Sequence, residues 1–251
     1  MLMLPEIDEQ GGAVLNKLSF FDNSNEILSI FGLSCHPVFS TSKIISSDYP
    51  GEIVNHYQNT NESSAIFLQG WSGDLRPDTS GKFMSTRSLI DCAKALFNGK
   101  VFLQPDFKKF SCFCNDIVNL IQSIKPLHVN DQPLISSLQR KLSLVSSTGH
   151  TTKSFFVSIH RIDNILFISI PAEVSSRYYS YLASNFVSYK IFPLGCSNGM
   201  IGYLPYYDQV REKGYEVDSA KNYGWDSYIG EDSLIKFKND LYILVKDFVD
   251  D

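Results

Sequence analysis

The spacing of hydrophobic and polar positions changes period several times along the chain. Residues 13–20 and 26–34 are apolar-rich runs of strand length. Asp22-Asn23-Ser24-Asn25 between them has turn composition, so the pair predicts a hairpin. Ser46-Ser47-Asp48-Tyr49-Pro50-Gly51-Glu52 then combines capping residues, proline and an acid, which predicts a helix running to about residue 58. Residues 64–69 read as a buried strand that ends in the loop Gly70-Trp71-Ser72-Gly73-Asp74-Leu75-Arg76-Pro77. Helical patterning follows at 84–97, closed by Asn98-Gly99, and at 114–124. The stretch 125–150 reads as polar and irregular. A second hairpin is expected over 154–161 and 164–170, then a tyrosine-rich helix at 173–186 and a strand at 187–194. A glycine-bearing loop to Pro205 and a last helix at about 231–249 complete the pattern.

Strands that alternate with helices predict an α/β fold. Two hairpins in that order make it a mixed β-sheet flanked by helices rather than a purely parallel one. No repeat and no linker divides the chain, so one α/β domain over residues 1–251 is expected.

Composition narrows the function classes. The 251 residues are 43% hydrophobic and 20% charged, which excludes disordered and fibrous classes. A net charge of −5 argues against a nucleic-acid partner. No apolar run is long enough to cross a bilayer, and MLMLPEIDEQ lacks the basic start of a signal peptide. Five cysteines without framework spacing read as buried free thiols in a reducing compartment, so a cytoplasmic protein is expected.

Several polar residues stand just after apolar strands, where α/β proteins place their chemistry. These are His36, Asp74 and Arg76, Glu173 behind Pro171, and Tyr203. An imidazole, a carboxylate and a phenol in such positions suit a zinc site with an open position for an activated water. A lone histidine beside a proline is more often a core or capping residue than a ligand. Ser72 lacks the strand-elbow-helix context of a hydrolase nucleophile. Tyr178, Tyr179 and Tyr181 are expected to pack a core or its edge, and Trp71 and Trp225 to fill space near the loops.

The same residues carry a resemblance. Phe31-Gly32-Leu33-Ser34-Cys35-His36-Pro37, Ile45-Ser46-Ser47-Asp48-Tyr49-Pro50-Gly51 and Gly73-Asp74-Leu75-Arg76-Pro77 resemble segments of the neutral/alkaline ceramidase family. So do Ile170-Pro171-Ala172-Glu173-Val174, Ser197-Asn198-Gly199-Met200-Ile201-Gly202-Tyr203-Leu204-Pro205 and Gly214-Tyr215-Glu216-Val217, all in the family's order. The likeness is greatest to the family's bacterial branch. It covers roughly residues 14–80 and 165–240, as the C-terminal part of a ceramidase catalytic domain would.

This resemblance implies a zinc amidase. His36, Glu173 and Tyr203 match zinc-binding positions, so Zn2+ is the implied cofactor. Asp48 and Asp74 fall in shared motifs and are expected to orient ligands or loops. Two departures count against ceramide as the substrate. Arg76 stands where the ceramidases place a catalytic serine, and a permanently charged guanidinium cannot attack a carbonyl. It is expected either to bind an anionic group and stabilise charge, or to serve as a structural partner of an acid. The family's upstream zinc histidine has no counterpart before the first strand here. His150 is the substitute that local composition offers, while His56, His128 and His160 read as helix-surface, loop and strand histidines.

Three readings follow. One is a metal-dependent hydrolase acting on a small or lipid-like amide or related acyl bond through a metal-activated water, with Tyr203 or Arg76 stabilising the oxyanion. The second is a non-catalytic binding or scaffolding relative. The third is a subunit whose site is completed by a partner chain or a second copy.

Overall fold

The computed structural model describes residues 2–3, 12–40, 45–77, 107–124 and 132–250. The expected helix at 84–97, Cys92 and His128 lie outside the described residues.

The first hairpin forms as expected. Strands β2 (Leu15–Asp22) and β3 (Asn25–Leu33) pair antiparallel around a turn at Asn23, whose φ is 54° (β1 being the two-residue strand Leu2–Met3). Helix α1 (Asp48–Asn61) then returns the chain so that β4 (Ser64–Gln69) lies parallel to β3. Alternate residues Phe31 and Leu33 project onto α1 and α2 (Phe107–Ser123), where they are buried with Tyr49, Ile53, Tyr57, Ile117 and Ile121. Helix α2 begins well before the expected residue 114.

The second sheet has four strands. The first of them along the chain corrects an expectation. Residues Ile135–Val145, placed in an irregular stretch, form the long strand β6. Leu138, Leu142 and Leu144 alternate on one face, but Arg140 interrupts that face and the other face is polar, so the period-2 signal is diluted. Antiparallel pairing with β7 (Thr152–Ile162) sets those leucines beside Phe155, Val157 and Ile159. Strand β8 (Ile165–Ser169) follows a tight turn at Asp163, and β10 (Lys190–Leu194) runs parallel to it.

Helix α3 (Ser176–Asn185) is shorter than expected because Glu173–Val174, strand β9, is extended and pairs with Tyr203–Leu204, strand β11. Ser175 caps α3 through its side chain. The last helix, α6 (Glu231–Asp250), follows the short α4 (Gln209–Glu212) and α5 (Tyr215–Asp218). It buries Leu234, Phe237, Leu241, Leu244, Val245 and Phe248, the i, i+3, i+7 stripe of an amphipathic helix, against the second sheet. Tyr178, Trp71 and Trp225 are buried in that core.

The architecture is therefore mixed α/β, with mixed sheets flanked by helices. Each larger sheet turns one face to its own helices. The opposite faces approach where Gly32 lies against the Phe192 ring and Asn16 Nδ2 donates to the Ile191 carbonyl at 3.2 Å. No described helix is long and apolar enough to cross a membrane.

Candidate functional site

Each larger sheet contains one parallel pair, β3 with β4 and β8 with β10. Parallel strands deliver their carboxyl ends to the same side, where loops rather than ladder bonds satisfy the chain. Here the ends of both pairs are tied together. Gly195 N–H donates to the Gln69 carbonyl at 2.9 Å, linking β10 to β4 across the two sheets. Gly73 N–H donates to the Val174 carbonyl at 2.7 Å, and Glu173 N–H to the Gly202 carbonyl at 3.0 Å. His36 N–H donates to the Leu75 carbonyl at 3.0 Å. Four segments far apart in sequence are thus locked around one point.

His36, Glu173 and Tyr203 meet at that point. His36 Nε2 is in direct contact with Glu173 Oε2, and the Tyr203 hydroxyl lies 3.4 Å from the same nitrogen. The His36 and Tyr203 rings are nearly parallel, 9° between planes. The other imidazole nitrogen, Nδ1, lies 3.0 Å from the Leu75 carbonyl. A carbonyl can only accept, so Nδ1 carries a proton. In a neutral imidazole Nε2 is then a bare lone pair facing a carboxylate oxygen. Two acceptors in contact require a positive charge between them: a second proton on the ring, or a cation.

The surroundings reinforce this. Burial opposes charge on His36, but the Glu173 carboxylate and the Leu75 and Ser72 carbonyls outweigh it and raise its pKa. Burial likewise opposes charge on Glu173, but His36, the Tyr203 hydroxyl and Tyr223 outweigh it and hold the carboxyl below its ordinary value. Burial, then Glu173, pushes Tyr203 far up. The Tyr223 hydroxyl donates to the second carboxylate oxygen, Oε1, at 3.2 Å. Tyr215 packs edge-on against Tyr203 with centroids 5.5 Å apart.

Asp74 is buried and does not touch the three residues. Its Oδ2 accepts from Ser175 Oγ at 2.6 Å and from Gln209 Nε2 at 3.1 Å, and its Oδ1 accepts from Ser176 N–H at 2.7 Å. It thereby fastens the loop after β4 to the cap and first residue of α3, two and three residues past Glu173. Asp48 is farther away, at the first residue of α1, where it accepts from Ser40 N–H at 2.5 Å and Tyr49 N–H at 2.7 Å. The adjacent Tyr49 hydroxyl donates to the Cys35 carbonyl at 2.6 Å, next to His36. Arg76 is half-buried on the two-residue strand β5 (Arg76–Pro77), in the field of Glu216 and Tyr203, and burial lowers its pKa. Burial, with Asp74 nearby, raises the pKa of Glu216.

His150 sits exposed in the β6–β7 turn, where its N–H donates to Thr148 Oγ1. His56 is exposed on α1 and His160 on β7. The expectation of buried thiols is corrected in part: Cys35 and Cys114 are free and buried, whereas Cys112 and Cys196 are free and exposed. Tyr223, Ser175 and Gln209 had no signal in the sequence, whereas Gln69 lies in a segment, Phe67-Leu68-Gln69-Gly70, that resembles the ceramidases. Gln69 Nε2 donates to the Cys35 carbonyl and to Ser72 Oγ, both at 2.9 Å.

Among the described residues no group of three His, Cys, Asp or Glu side chains could hold a metal ion. The donor set here is one imidazole, one carboxylate and one phenol. That set suits a divalent cation in kind, while a second proton on His36 satisfies the contact between Nε2 and Oε2 as well.

The fold is that of the neutral ceramidases. The crystal structure of neutral ceramidase from Pseudomonas aeruginosa superposes with a TM-score of 0.67 at 14% identity over 91% of this chain and 45% of that one. A ceramidase complexed with C2 superposes with a TM-score of 0.63 at 13% identity, over 90% of this chain and 46% of that one. The chain thus spans a little under half the length of these neighbours. No family model and no curated protein sequence matches it.

Proposed function

We propose that this chain is a metal-dependent hydrolase of an amide or related acyl bond, with His36, Glu173 and Tyr203 holding the cation. One observation carries the reading: Nε2 of His36, whose Nδ1 is turned to the Leu75 carbonyl, meets a carboxylate oxygen of Glu173, with the Tyr203 hydroxyl beside them. The ceramidase fold supports it, since a ceramidase cleaves an amide. Zinc is the cation this donor set suits. When bound, it would act as a Lewis acid toward a carbonyl and make water nucleophilic near neutral pH.

The chain's own residues do the rest. The Leu75 carbonyl holds His36 in the tautomer whose Nε2 faces the site. Tyr203 has one of two roles there: as a phenolate it would be the third ligand, and as a phenol, the form burial and Glu173 favour in the metal-free chain, it would donate a hydrogen bond to charge developing on a carbonyl oxygen. Arg76 adds a positive field from the rim for an anionic substrate group, and stands where a serine nucleophile would otherwise be needed. Ceramide is therefore not the proposed substrate.

Elemental analysis after zinc reconstitution tests the reading. The wild-type chain retains about one zinc per chain, and His36→Ala and Glu173→Ala lose it. Absence of zinc from the reconstituted wild type overturns the proposal. A second reading is a binding protein in which His36 is an imidazolium paired with Glu173 and no cation enters. The upward shift of the His36 pKa favours it, and a metal-free wild type with unimpaired ligand binding would select it.

A further inference from the structure

We infer that Tyr223 is a positioning residue for the metal site, holding the Glu173 carboxylate so that one oxygen faces His36 and the other is turned away. The inference rests on the reading that His36, Glu173 and Tyr203 hold a cation. A carboxylate on a flexible stem can swing between one-oxygen and two-oxygen contact with a metal, and what stops it is a donor fixed on the second oxygen. Glu173 has such a donor. Its Oε2 meets His36, while Oε1 accepts the Tyr223 hydroxyl at 3.2 Å.

Tyr223 is itself held from three directions. Its ring lies against Gly202, where a Cβ would come within 2.8 Å of the ring carbon Cγ, and the φ of 107° at Gly202 is one that side chains rarely adopt. Its ring meets Tyr203 edge-on at 6.2 Å between centroids. Its carbonyl accepts from Lys153 Nζ, whose ammonium lies 4.9 Å above the Trp225 ring. The same glycine that receives the Tyr223 ring precedes Tyr203 and accepts the Glu173 N–H at 3.0 Å. One tight contact therefore sets Tyr223, Glu173 and Tyr203 relative to one another. The hydroxyl of Tyr223 is the group that donates to the carboxylate.

Cobalt titration tests this, because Co2+ substitutes for zinc and its visible absorption reports ligand number and geometry. Tyr223→Phe keeps the ring on Gly202 and removes the hydroxyl. It is expected to bind Co2+ about 10-fold more weakly than the wild type and to change the absorption of the bound ion. Equal affinity and an unchanged spectrum overturn the role of Tyr223 and leave the metal site standing. Weaker binding with an unchanged spectrum also overturns it, since a general loosening would do the same. A wild type that binds no Co2+ overturns the metal reading and this inference together. Lys153→Met, which frees the Tyr223 carbonyl but leaves the hydroxyl, is the second variant. It is expected to weaken Co2+ binding in the same direction by less, and unchanged affinity there counts against the inference.

Discussion

The His36 imidazole and the Glu173 carboxylate touch although 137 residues separate them. In the metal-free chain this contact makes stability depend on pH in both directions. Glu173 is held below its ordinary value of 4.5, so its contribution is present above that pH and is lost as pH falls through the folded value. His36 is raised above its ordinary 6.5, so its contribution is present below that pH and is lost as pH rises through the folded value. Both contributions are complete only between 4.5 and 6.5. With a chelator present, the gap in unfolding midpoint between wild type and His36→Ala should be widest in that window and narrow on either side. A gap independent of pH would contradict the pairing. Added zinc should bind more tightly as pH rises, because it displaces the bridging proton.

Asp74 accepts three hydrogen bonds from the start of α3 and from Gln209. An amide has one acceptor oxygen, and its NH2 would face a donor. Asp74→Asn should therefore leave buried donors unsatisfied and cost about 2 kcal/mol of unfolding free energy. Because Ser175 and Ser176 follow Glu173 so closely, zinc affinity should fall as well. Denaturant unfolding and zinc titration of the same variant check both. An unchanged zinc affinity would mean that the fastening does not reach Glu173.

Much of this architecture was legible because strands and helices announce themselves by period. The 26–34 run, the 64–69 run and the stripe on α6 are clear. Strand β6 was not, because Arg140 breaks its apolar face. The candidate residues stood out for a related reason. His36, Asp74, Arg76, Glu173 and Tyr203 all read as lying beyond longer strands, which local patterning finds, and the resemblance to ceramidase segments implied their roles; that Arg76, Glu173 and Tyr203 themselves form the two-residue strands β5, β9 and β11 had no such signal. That His36, Glu173 and Tyr203 converge is a tertiary fact carried by backbone bonds such as Gly195 to Gln69. No pattern encodes such bonds. Tyr223 is one tyrosine of 13, and nothing local separates it from the others. Its role depends on the ring fitting a glycine at 202, which only the folded chain reveals.

Glu26 lies at the start of β3, away from His36, and offers a test of the fold independent of the site. Its Oε1 accepts from Tyr57 at 2.7 Å, Ser29 at 2.9 Å and Ser63 at 3.2 Å, and Lys17 Nζ is 3.2 Å from Oε2. Burial pushes its pKa up, but these donors outweigh that and bring it down to about 2 from 4.5. A depressed carboxyl stabilises above its unfolded pKa and loses that effect as pH falls through the folded one. Allowing for the solvent that reaches it, the shift corresponds to about 2 kcal/mol at neutral pH. Glu26→Gln should lose about that much at neutral pH, and the difference from wild type should shrink between pH 4.5 and 2. Urea unfolding at several pH values measures it. A difference that persists undiminished in acid would point to packing rather than charge.

Gly73 offers the sharpest test that the loop after β4 and the Glu173 segment are one unit. A Cβ there would come within 2.5 Å of the Glu173 carbonyl oxygen and 2.9 Å of the Val174 carbonyl carbon. Both are backbone atoms, which cannot rotate away as a side chain can. Gly73→Ala must therefore push the two segments apart, straining the Gly73 N–H bond to the Val174 carbonyl. The expected cost is about 2 kcal/mol of unfolding free energy. Because the displaced residue is Glu173, zinc affinity should fall with stability. Gly12→Ala is the control: a Cβ there meets nothing within 4 Å, so its effect should stay within about 0.5 kcal/mol. If the two variants unfold alike and bind zinc alike, the close approach of the two segments is wrong, and with it the means by which this fold brings Glu173 to His36.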